Sequence, residues 1–254
     1  MDQRAFRGAV IAAAAKPDAI RGWIGTAVAV ILVIAVTRQC RRPTWLLGRA
    51  FAEIMNRSHA SLTIWGLSHI QIDRDATILD VGCGGGATVR RLASMAAEGR
   101  IFGVDYSAAS VATARRTNAA RIATGQVDLR IASVSALPFP DDTFDVVTAV
   151  ETHYYWPDLH RDLVEILRVL KPGGTLIIIA EVYRGHHFAW LYRPVMALLG
   201  AAYLNEPEHR ELFTAAGFTD VRASEQDAKG WICAYGNKVN AAGVTTSRSM
   251  PVAP

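Results

Sequence analysis

The residues of this chain that are best suited to chemistry stand where two apolar segments end. The first segment, Ile78 to Val81, runs into a turn that carries glycine at positions 82, 84, 85 and 86. The second, Ile101 to Val104, ends on Asp105, 21 residues after Gly84. Glycines let the backbone approach a ligand closely, and an acid at this separation is suited to ribose hydroxyls. The pattern therefore predicts a site for an adenosine-containing cofactor.

Residues 82–87 also satisfy the loose pattern of dinucleotide-binding turns, so the glycine turn alone does not identify the cofactor. Asp80 helps to distinguish the two kinds of cofactor. It lies inside an apolar strand, where an unpaired buried carboxylate would be costly. We therefore expect Asp80 to accept hydrogen bonds from a ligand or from the glycine turn. A nicotinamide dehydrogenase is an alternative, but Asp80, the Lys-Pro-Gly-Gly turn at 171–174 and the lack of a second domain disfavour it.

Two further segments carry a resemblance to a known family. They run from Leu137 to Val147 and from Val169 to Leu176. Together with Asp80 and the glycine turn, they resemble the motifs of class I S-adenosylmethionine-dependent methyltransferases of the type 11-like group. The resemblance extends from roughly residue 70 to Asn237. It implies S-adenosyl-L-methionine as the cofactor and methyl transfer as the reaction, and it says little about the acceptor.

By this resemblance, Asp80, Gly82 and Gly84 would hold the methionyl end of the cofactor. Asp105 would bind the ribose hydroxyls, and Tyr106 would lie against the adenine face.

The adenine contact is the least certain part of the resemblance. In many relatives an acid near the end of the third strand accepts the adenine amino group. Here Ala132, Ser133 and Val134 stand at that place, so Ser133 and Val134 are the expected contacts and Ser133 is a weaker substitute for the acid.

The segment after the fourth strand supplies the catalytic candidates. Glu151 is expected beside the sulfonium, within reach of cofactor and acceptor, and its spacing to Pro157 is similar to that in sterol and tocopherol methyltransferases. His153 is the best-placed general base for a hydroxyl acceptor. Tyr154 opens a run of three aromatics that could hold a flat or polyisoprenoid acceptor or stabilise positive charge. No metal site is predicted, since methyl transfer requires none and the three cysteines are far apart.

Short apolar strands alternate with helical stretches from Thr77 onward, which is typical of a parallel sheet covered on both faces. We predict an α/β fold: a doubly wound, Rossmann-like, seven-stranded, mainly parallel sheet with helices on both faces, plus an N-terminal helical extension. The predicted divisions are an extension over 1–42, a methyltransferase domain over 43–237 and a disordered tail over 238–254. Within the domain, residues 43–70 and 183–206 are expected to form a lid over the acceptor.

Composition limits the partners. The chain has 254 residues, 51% of them hydrophobic, and a formal net charge of +4, without a basic groove interleaved with aromatics, so no nucleic-acid partner is expected. Residues 23–36 form an uncharged run that is short for a bilayer span, which leaves a short anchor, an interfacial helix or a packing helix as alternatives. We expect a cytoplasmic protein that associates with a membrane surface through this run. The oligomeric state is not indicated.

The leading hypothesis is S-adenosylmethionine-dependent methyl transfer to a small lipophilic or aromatic acceptor. The alternative from another class is a membrane-associated protein that binds S-adenosylmethionine without turnover. No motif fixes whether oxygen, nitrogen or carbon receives the methyl group.

Overall fold

The computed structural model describes residues 59–185 and 189–240. The chain divides after Arg42 into two units, and every described residue belongs to the second. The predicted N-terminal extension, its apolar run 23–36 and the tail beyond residue 240 therefore lie outside the described residues. Among the residues described, no helix is both long enough and apolar enough to cross a bilayer.

The described chain builds one seven-stranded sheet, with the strands in the order β3-β2-β1-β4-β5-β7-β6. The strands are β1 (Thr77–Val81), β2 (Arg100–Asp105), β3 (Val127–Ile131), β4 (Phe144–Val150), β5 (Leu170–Ala180), β6 (Thr219–Gln226) and β7 (Trp231–Asn237). Only β7 runs against its neighbours, β5 and β6, and every other pair is parallel. The predicted fold class is confirmed.

One described helix precedes β1, and the others lie between strands along the chain. They are α1 (Ala60–Leu67), α2 (Ala87–Met95), α3 (Ala108–Thr117), α4 (Ala119–Ala123), α5 (Leu159–Val169), α6 (Ala189–Leu199) and α7 (Glu206–Ala215). A single 3₁₀ turn, His153–Tyr155, follows β4. Because helices cover both faces, the central strands are buried on both sides and read as nearly continuous apolar runs.

Two apolar clusters fill the two sides of the sheet. On one side Phe102, Phe139 and Phe144 pack edge to face, with ring centroids 4.9–5.5 Å apart. On the other side Ile78 and Ile101 lie among the side chains of α2 and α3. These clusters fix β1, β2 and β4 side by side, and so fix where their carboxyl ends meet.

Local signals in the sequence set the helix ends. Ser107 accepts a hydrogen bond from the Ser110 N–H and caps α3, as its position predicts. Asp158 caps α5 by accepting from the Arg161 N–H. Helix α5 ends at Val169 because Leu170 pairs with Phe144 and begins β5 ahead of the Lys-Pro-Gly-Gly turn.

Helix α1 is the described part of the first predicted lid segment, and it packs on the sheet face over β5 and β7. Gly66 lies so close to Ile179 that an added Cβ would stand 2.5–2.7 Å from three atoms of that side chain. Trp65 stacks at a tilt on Trp231, with 5.8 Å between ring centroids. The close approach at Gly66 thus sets the position of α1 and of His59, which precedes it.

Gly66→Ala should destabilise the protein by about 1–3 kcal/mol, because the buried Ile179 side chain must shift to admit the methyl group. Urea unfolding measures this change. Ile64→Ala on the exposed face of the same helix is the control and should change stability by no more than about 0.5 kcal/mol. Equal stability of the Gly66 variant and the wild type would contradict this packing.

Candidate active site

The glycine turn lies where the strand order reverses, between β1 and its neighbours β2 and β4, the usual ligand position in doubly wound sheets. The N–H groups of Gly82 and Cys83 both donate to the Val104 carbonyl, at 2.8 and 2.9 Å. The Gly84 N–H donates to Oδ2 of Asp105 at 3.0 Å. The turn is therefore built onto the end of β2 by the same residue that was predicted to bind ribose.

Asp105 is fixed through both carboxylate oxygens. Oδ2 accepts from Gly84, and Oδ1 accepts from the Ser107 N–H at 2.8 Å. Burial raises the pKa of Asp105, although these two hydrogen bonds oppose the shift. A carboxylate oxygen has more than one lone pair, so each can accept a further donor from a ligand.

Asp80 is almost fully buried, and its partner is not the glycine turn. Oδ1 accepts the hydroxyl hydrogen of Thr148, on β4, at 2.7 Å. The expectation of a bond from the turn is wrong, because the N–H groups of the turn go to Val104 and Asp105 instead. Oδ2 of Asp80 is buried and has no hydrogen-bond partner among the described residues. Desolvation raises the pKa of Asp80 to about 7, with a smaller contribution from the charge of Asp105.

Sequence reasoning missed Thr148. It is fully buried in β4, where it supplies the one described donor to Asp80. A signal existed, since a single threonine interrupts the apolar run of β4 at the position that pairs with Asp80. Recognising it requires knowing that β4 is the neighbour of β1, which the sequence order does not reveal.

The glycines of the turn face different surroundings. A Cβ on Gly82 would stand 2.1 Å from the Thr152 hydroxyl, so this residue lies against the segment that follows β4. A Cβ on Gly86 would strike Asn118 and Ala114. Gly84 has φ +51° and nothing closer than 3.9 Å around its missing Cβ, so a side chain there would fill open space. An open cradle beside two buried acids fits a cofactor with a positive charge and ribose hydroxyls.

The residues predicted at the adenine lie beyond Asp105. Tyr106 is 45% exposed, as a residue that covers a ligand face would be before binding. The Ala132 N–H donates to the Asp105 carbonyl and brings the next two residues alongside. Ser133 is exposed and its hydroxyl accepts from the Ser135 N–H, while Val134 is buried in the core. The assignment of these contacts stays a prediction.

Glu151 directly follows β4, has φ +57° and donates its own N–H to the Ile179 carbonyl of β5. Its Oε1 accepts from the Glu181 N–H and from the Tyr154 hydroxyl, the latter at 3.1 Å. The Tyr154 hydroxyl in turn accepts from the Val182 N–H at 3.0 Å. Desolvation raises the pKa of Glu151 to about 7, although the charge of His59 opposes it. The buried Tyr154 side chain thus orients the Glu151 carboxylate through this hydrogen bond.

His153 faces a second histidine and makes no hydrogen bond to this carboxylate among the described residues. It is 1% exposed, and its Nε2 is 3.4 Å from Nε2 of His209 on α7. Burial lowers its pKa well below the usual value, with a further contribution from His209. Its Nδ1 has no partner among the described residues. Trp156, the third aromatic proposed to line the acceptor, is instead buried in the main core.

The second predicted lid segment adds an apolar cluster next to Tyr154. Tyr183 and Met196 are buried there with Ile232 of β7. Met196 lies on α6, whose Trp190 and Leu198 are 70% and 62% exposed. Because this cluster includes Tyr154, whose hydroxyl donates to Glu151, its apolar side chains adjoin a residue that contacts the Glu151 carboxylate.

Comparison with known proteins decides the family. A family model for a methyltransferase domain matches residues 79–178, from β1 through β5. An uncharacterized methyltransferase of Bacillus subtilis is 30% identical over 125 residues, which cover 49% of this chain and 67% of that protein. This chain belongs to the class I S-adenosylmethionine-dependent methyltransferases. Its cofactor is S-adenosylmethionine.

Other relatives of this methyltransferase act on quinones by name. A demethylmenaquinone methyltransferase of Symbiobacterium thermophilum is 42% identical over 101 residues, covering 39% of this chain and 40% of that protein. A 2-methyl-6-phytyl-1,4-hydroquinone methyltransferase of Oryza sativa is 32% identical over 145 residues, covering 57% of this chain and 42% of that protein. The matches thus span about two fifths of these relatives.

A solved structure agrees on the fold. A SAM-dependent methyltransferase of Aquifex aeolicus superposes with a TM-score of 0.61 and 22% identity, covering 75% of this chain and 98% of that one. At 22% identity this similarity supports only the assignment of the fold.

Gly84→Ala should weaken S-adenosylmethionine binding by roughly tenfold or more, because the methyl group would occupy the cradle that the backbone leaves open. Isothermal titration gives the dissociation constant. Gly125→Ala is the matched control: Gly125 also has a positive φ, +78°, with nothing within 4 Å, so it carries the same backbone strain away from the site. Equal affinities in the two variants would place the cofactor elsewhere.

Asp80→Asn should stabilise the ligand-free protein increasingly as pH rises. The folded-state pKa of Asp80, about 7, lies above the ordinary value of 3.8, so the wild type loses stability as pH rises through this window. The difference in unfolding free energy between variant and wild type should grow by roughly 2–4 kcal/mol between pH 4 and 8. Urea unfolding at several pH values measures it.

Thr148→Val tests the same pH dependence by removing the hydrogen-bond donor to Asp80. Loss of the hydroxyl donor should extend the decline of stability to higher pH, since this hydrogen bond lowers the pKa of Asp80. A difference between Asp80→Asn and wild type that does not vary with pH would show that Asp80 titrates normally.

Proposed function

We propose that this methyltransferase transfers the methyl group of S-adenosylmethionine to a small, mainly apolar aromatic acceptor that carries a hydroxyl group, a hydroquinone or a phenol. The names of the relatives from Symbiobacterium thermophilum and Oryza sativa support an acceptor of this class. Since those matches cover only about two fifths of each relative, the acceptor is a proposal that rests also on the site.

The residues at the ends of β1 and β2 would hold the cofactor. Asp105 would accept the ribose hydroxyls, and Asp80 with the backbone of Gly82 and Gly84 would hold the methionyl end. The cofactor supplies an electrophilic methyl group on a sulfonium whose leaving group is a neutral thioether. Two desolvated carboxylates favour a ligand that brings a positive charge and hydroxyl donors.

One observation carries the proposal: the Glu151 segment adjoins the glycine turn. The contact of Gly82 with Thr152 joins the two, and Tyr154 links Glu151 to the apolar cluster of Tyr183, Met196 and Ile232. An acceptor bound over this cluster would have an apolar surface on one side and a carboxylate beside the cofactor cradle. This combination suits a ring with a hydroxyl group and an apolar substituent.

The work of the chain at the acceptor is to position it and to stabilise charge. A new bond forms between the acceptor atom and the methyl carbon, the sulfur takes the bonding electrons, and the acceptor loses one proton. Alignment supplies most of the rate in such a displacement. The negative charge of Glu151, fixed by Tyr154 and the Glu181 N–H, would face the positive charge that develops on the acceptor.

Purified protein incubated with labelled S-adenosylmethionine and a panel of hydroquinones, phenols, isoprenoids and amines should label hydroquinones or phenols, with equimolar S-adenosylhomocysteine. Glu151→Gln, which keeps the size and the acceptor oxygen, should lower turnover by about 10²–10⁴. Exposed Glu98→Gln is the control and should leave turnover unchanged.

Two outcomes would count against the proposal. Labelling of proteins or nucleic acids alone would refute an apolar acceptor site. Tight cofactor binding without S-adenosylhomocysteine formation by any acceptor would support the alternative of a binding protein without turnover. If His153→Gln lowers turnover while Glu151→Gln does not, the catalytic role belongs to His153.

A further inference from the structure

Three side chains from distant parts of the chain converge at the carboxyl ends of β4 and β5. They are His59, Glu151 and Glu181, and one potential ligand atom from each lies within 4.8 Å of the other two. His59 precedes α1, Glu151 follows β4 and Glu181 follows β5. Nε2 of His59 is 3.2 Å from Oε1 of Glu181. All three are partly exposed, so the cluster can be reached from solvent.

Each of the three is positioned by the fold. Glu151 is held through Oε1 by Tyr154 and the Glu181 N–H, and its other oxygen makes no hydrogen bond to the residues that the structure describes. The His59 carbonyl accepts from both the N–H and the hydroxyl of Thr63 at the start of α1. The hydrogen bonds to the Glu151 carboxylate are of the kind that orients the ligands of metal sites, and those to the His59 carbonyl fix the backbone of that residue.

The charges of the cluster are unbalanced. Two carboxylates face one imidazole, and the Tyr154 hydroxyl is the other titratable group in contact with Glu151. Burial works against a charge on His59, but the hydrogen bond to Glu181 and the charges of both acids raise its pKa. Glu181 in turn contributes to the raised pKa of Glu151. A cation between the acids would relieve this repulsion more fully than one imidazole does.

We propose that His59, Glu151 and Glu181 bind a single divalent first-row transition-metal cation. One imidazole nitrogen with two carboxylate oxygens is a donor set that suits Mn²⁺, Fe²⁺ or Zn²⁺, and it is poor for soft monovalent copper. Three protein ligands leave further coordination positions open to water or to a bound molecule.

The use of such a cation rests on the proposed function. A hydroxyl oxygen of a hydroquinone or phenol could occupy an open position, where the cation would lower the pKa of the hydroxyl and favour loss of its proton. Binding of the cation itself requires neither the cofactor nor the acceptor. The two proposals can therefore fail separately.

The experiment uses the untagged full chain after treatment with chelator, without cofactor or acceptor. Titration with Mn²⁺, followed by isothermal calorimetry and by the loss of the free Mn²⁺ electron paramagnetic resonance signal, should give one saturable site per chain. Glu181→Gln and His59→Ala should each weaken Mn²⁺ binding by at least about tenfold, the range already seen when only a supporting residue is removed. Circular dichroism and the melting temperature establish that both variants fold.

Two control variants remove the same residue types from the surface. His160→Ala and Glu98→Gln lie outside the cluster and should bind Mn²⁺ as the wild type does. Substitution with Co²⁺ gives a second readout, because its visible spectrum should change in His59→Ala through loss of a nitrogen ligand. Absence of saturable binding, or equal affinity in wild type, Glu181→Gln and His59→Ala, would overturn the site and leave a hydrogen-bonded cluster of three side chains.

Discussion

The hydrogen bonds between the glycine turn and the end of β2 constrain the rest of this site. Two N–H groups of the turn converge on the Val104 carbonyl, and a third reaches the Asp105 carboxylate. This arrangement requires positive φ at Gly82, Gly84 and Gly86, which only glycine adopts without strain. With the turn held in this way, Gly82 meets Thr152 and thereby places the segment that contains Glu151. The turn proposed to hold the cofactor and the segment proposed to face the acceptor therefore lie against each other at Gly82 and Thr152.

Burial of carboxylates is the energetic counterpart of this geometry. Asp80 and Asp105 are both desolvated, and Oδ2 of Asp80 has no described partner, so the ligand-free protein carries an unfavourable electrostatic interaction. The Thr148 hydroxyl offsets part of it. A ligand with a positive charge and hydroxyl donors would remove the rest, so the same charge that costs stability in the free protein would strengthen binding. We therefore propose that the two acids serve ligand binding.

Features formed by residues that are close together in the sequence could be predicted from the sequence. The strand, glycine turn and second strand around Asp105 lie within one local unit, so their spacing predicted a cofactor site there. The Ser107 cap of α3 was predictable for the same reason. The alternation of strands and helices along the chain predicted the fold. The pattern at residues 221–224 and 231–235 likewise predicts the closing pair β6 and β7. The ladder between them continues, so β6 is longer at both ends and β7 at its C-terminal end.

Contacts between distant segments could not be read in this way. Thr148 meets Asp80 only because β4 is inserted next to β1, and His59 meets Glu181 across 122 residues. The pairing of His153 with His209 likewise depends on how α7 packs, so sequence could not distinguish a buried histidine from an exposed base. The burial of Trp156 in the core also depends on contacts with distant segments that its place in a run of aromatics does not reveal.

The unusual backbone at Glu151 links these observations. A glutamate with φ +57° is strained, and such strain persists only where the surroundings fix it. Here the Glu151 N–H continues the ladder to Ile179, while the carboxylate turns back to the Glu181 N–H at the end of the neighbouring strand. An extended backbone would continue the alternation of side chains across the sheet and could not turn the chain at this point. The strain at one residue thus brings a carboxylate from β4 beside one from β5, at the edge where ligands of this fold bind.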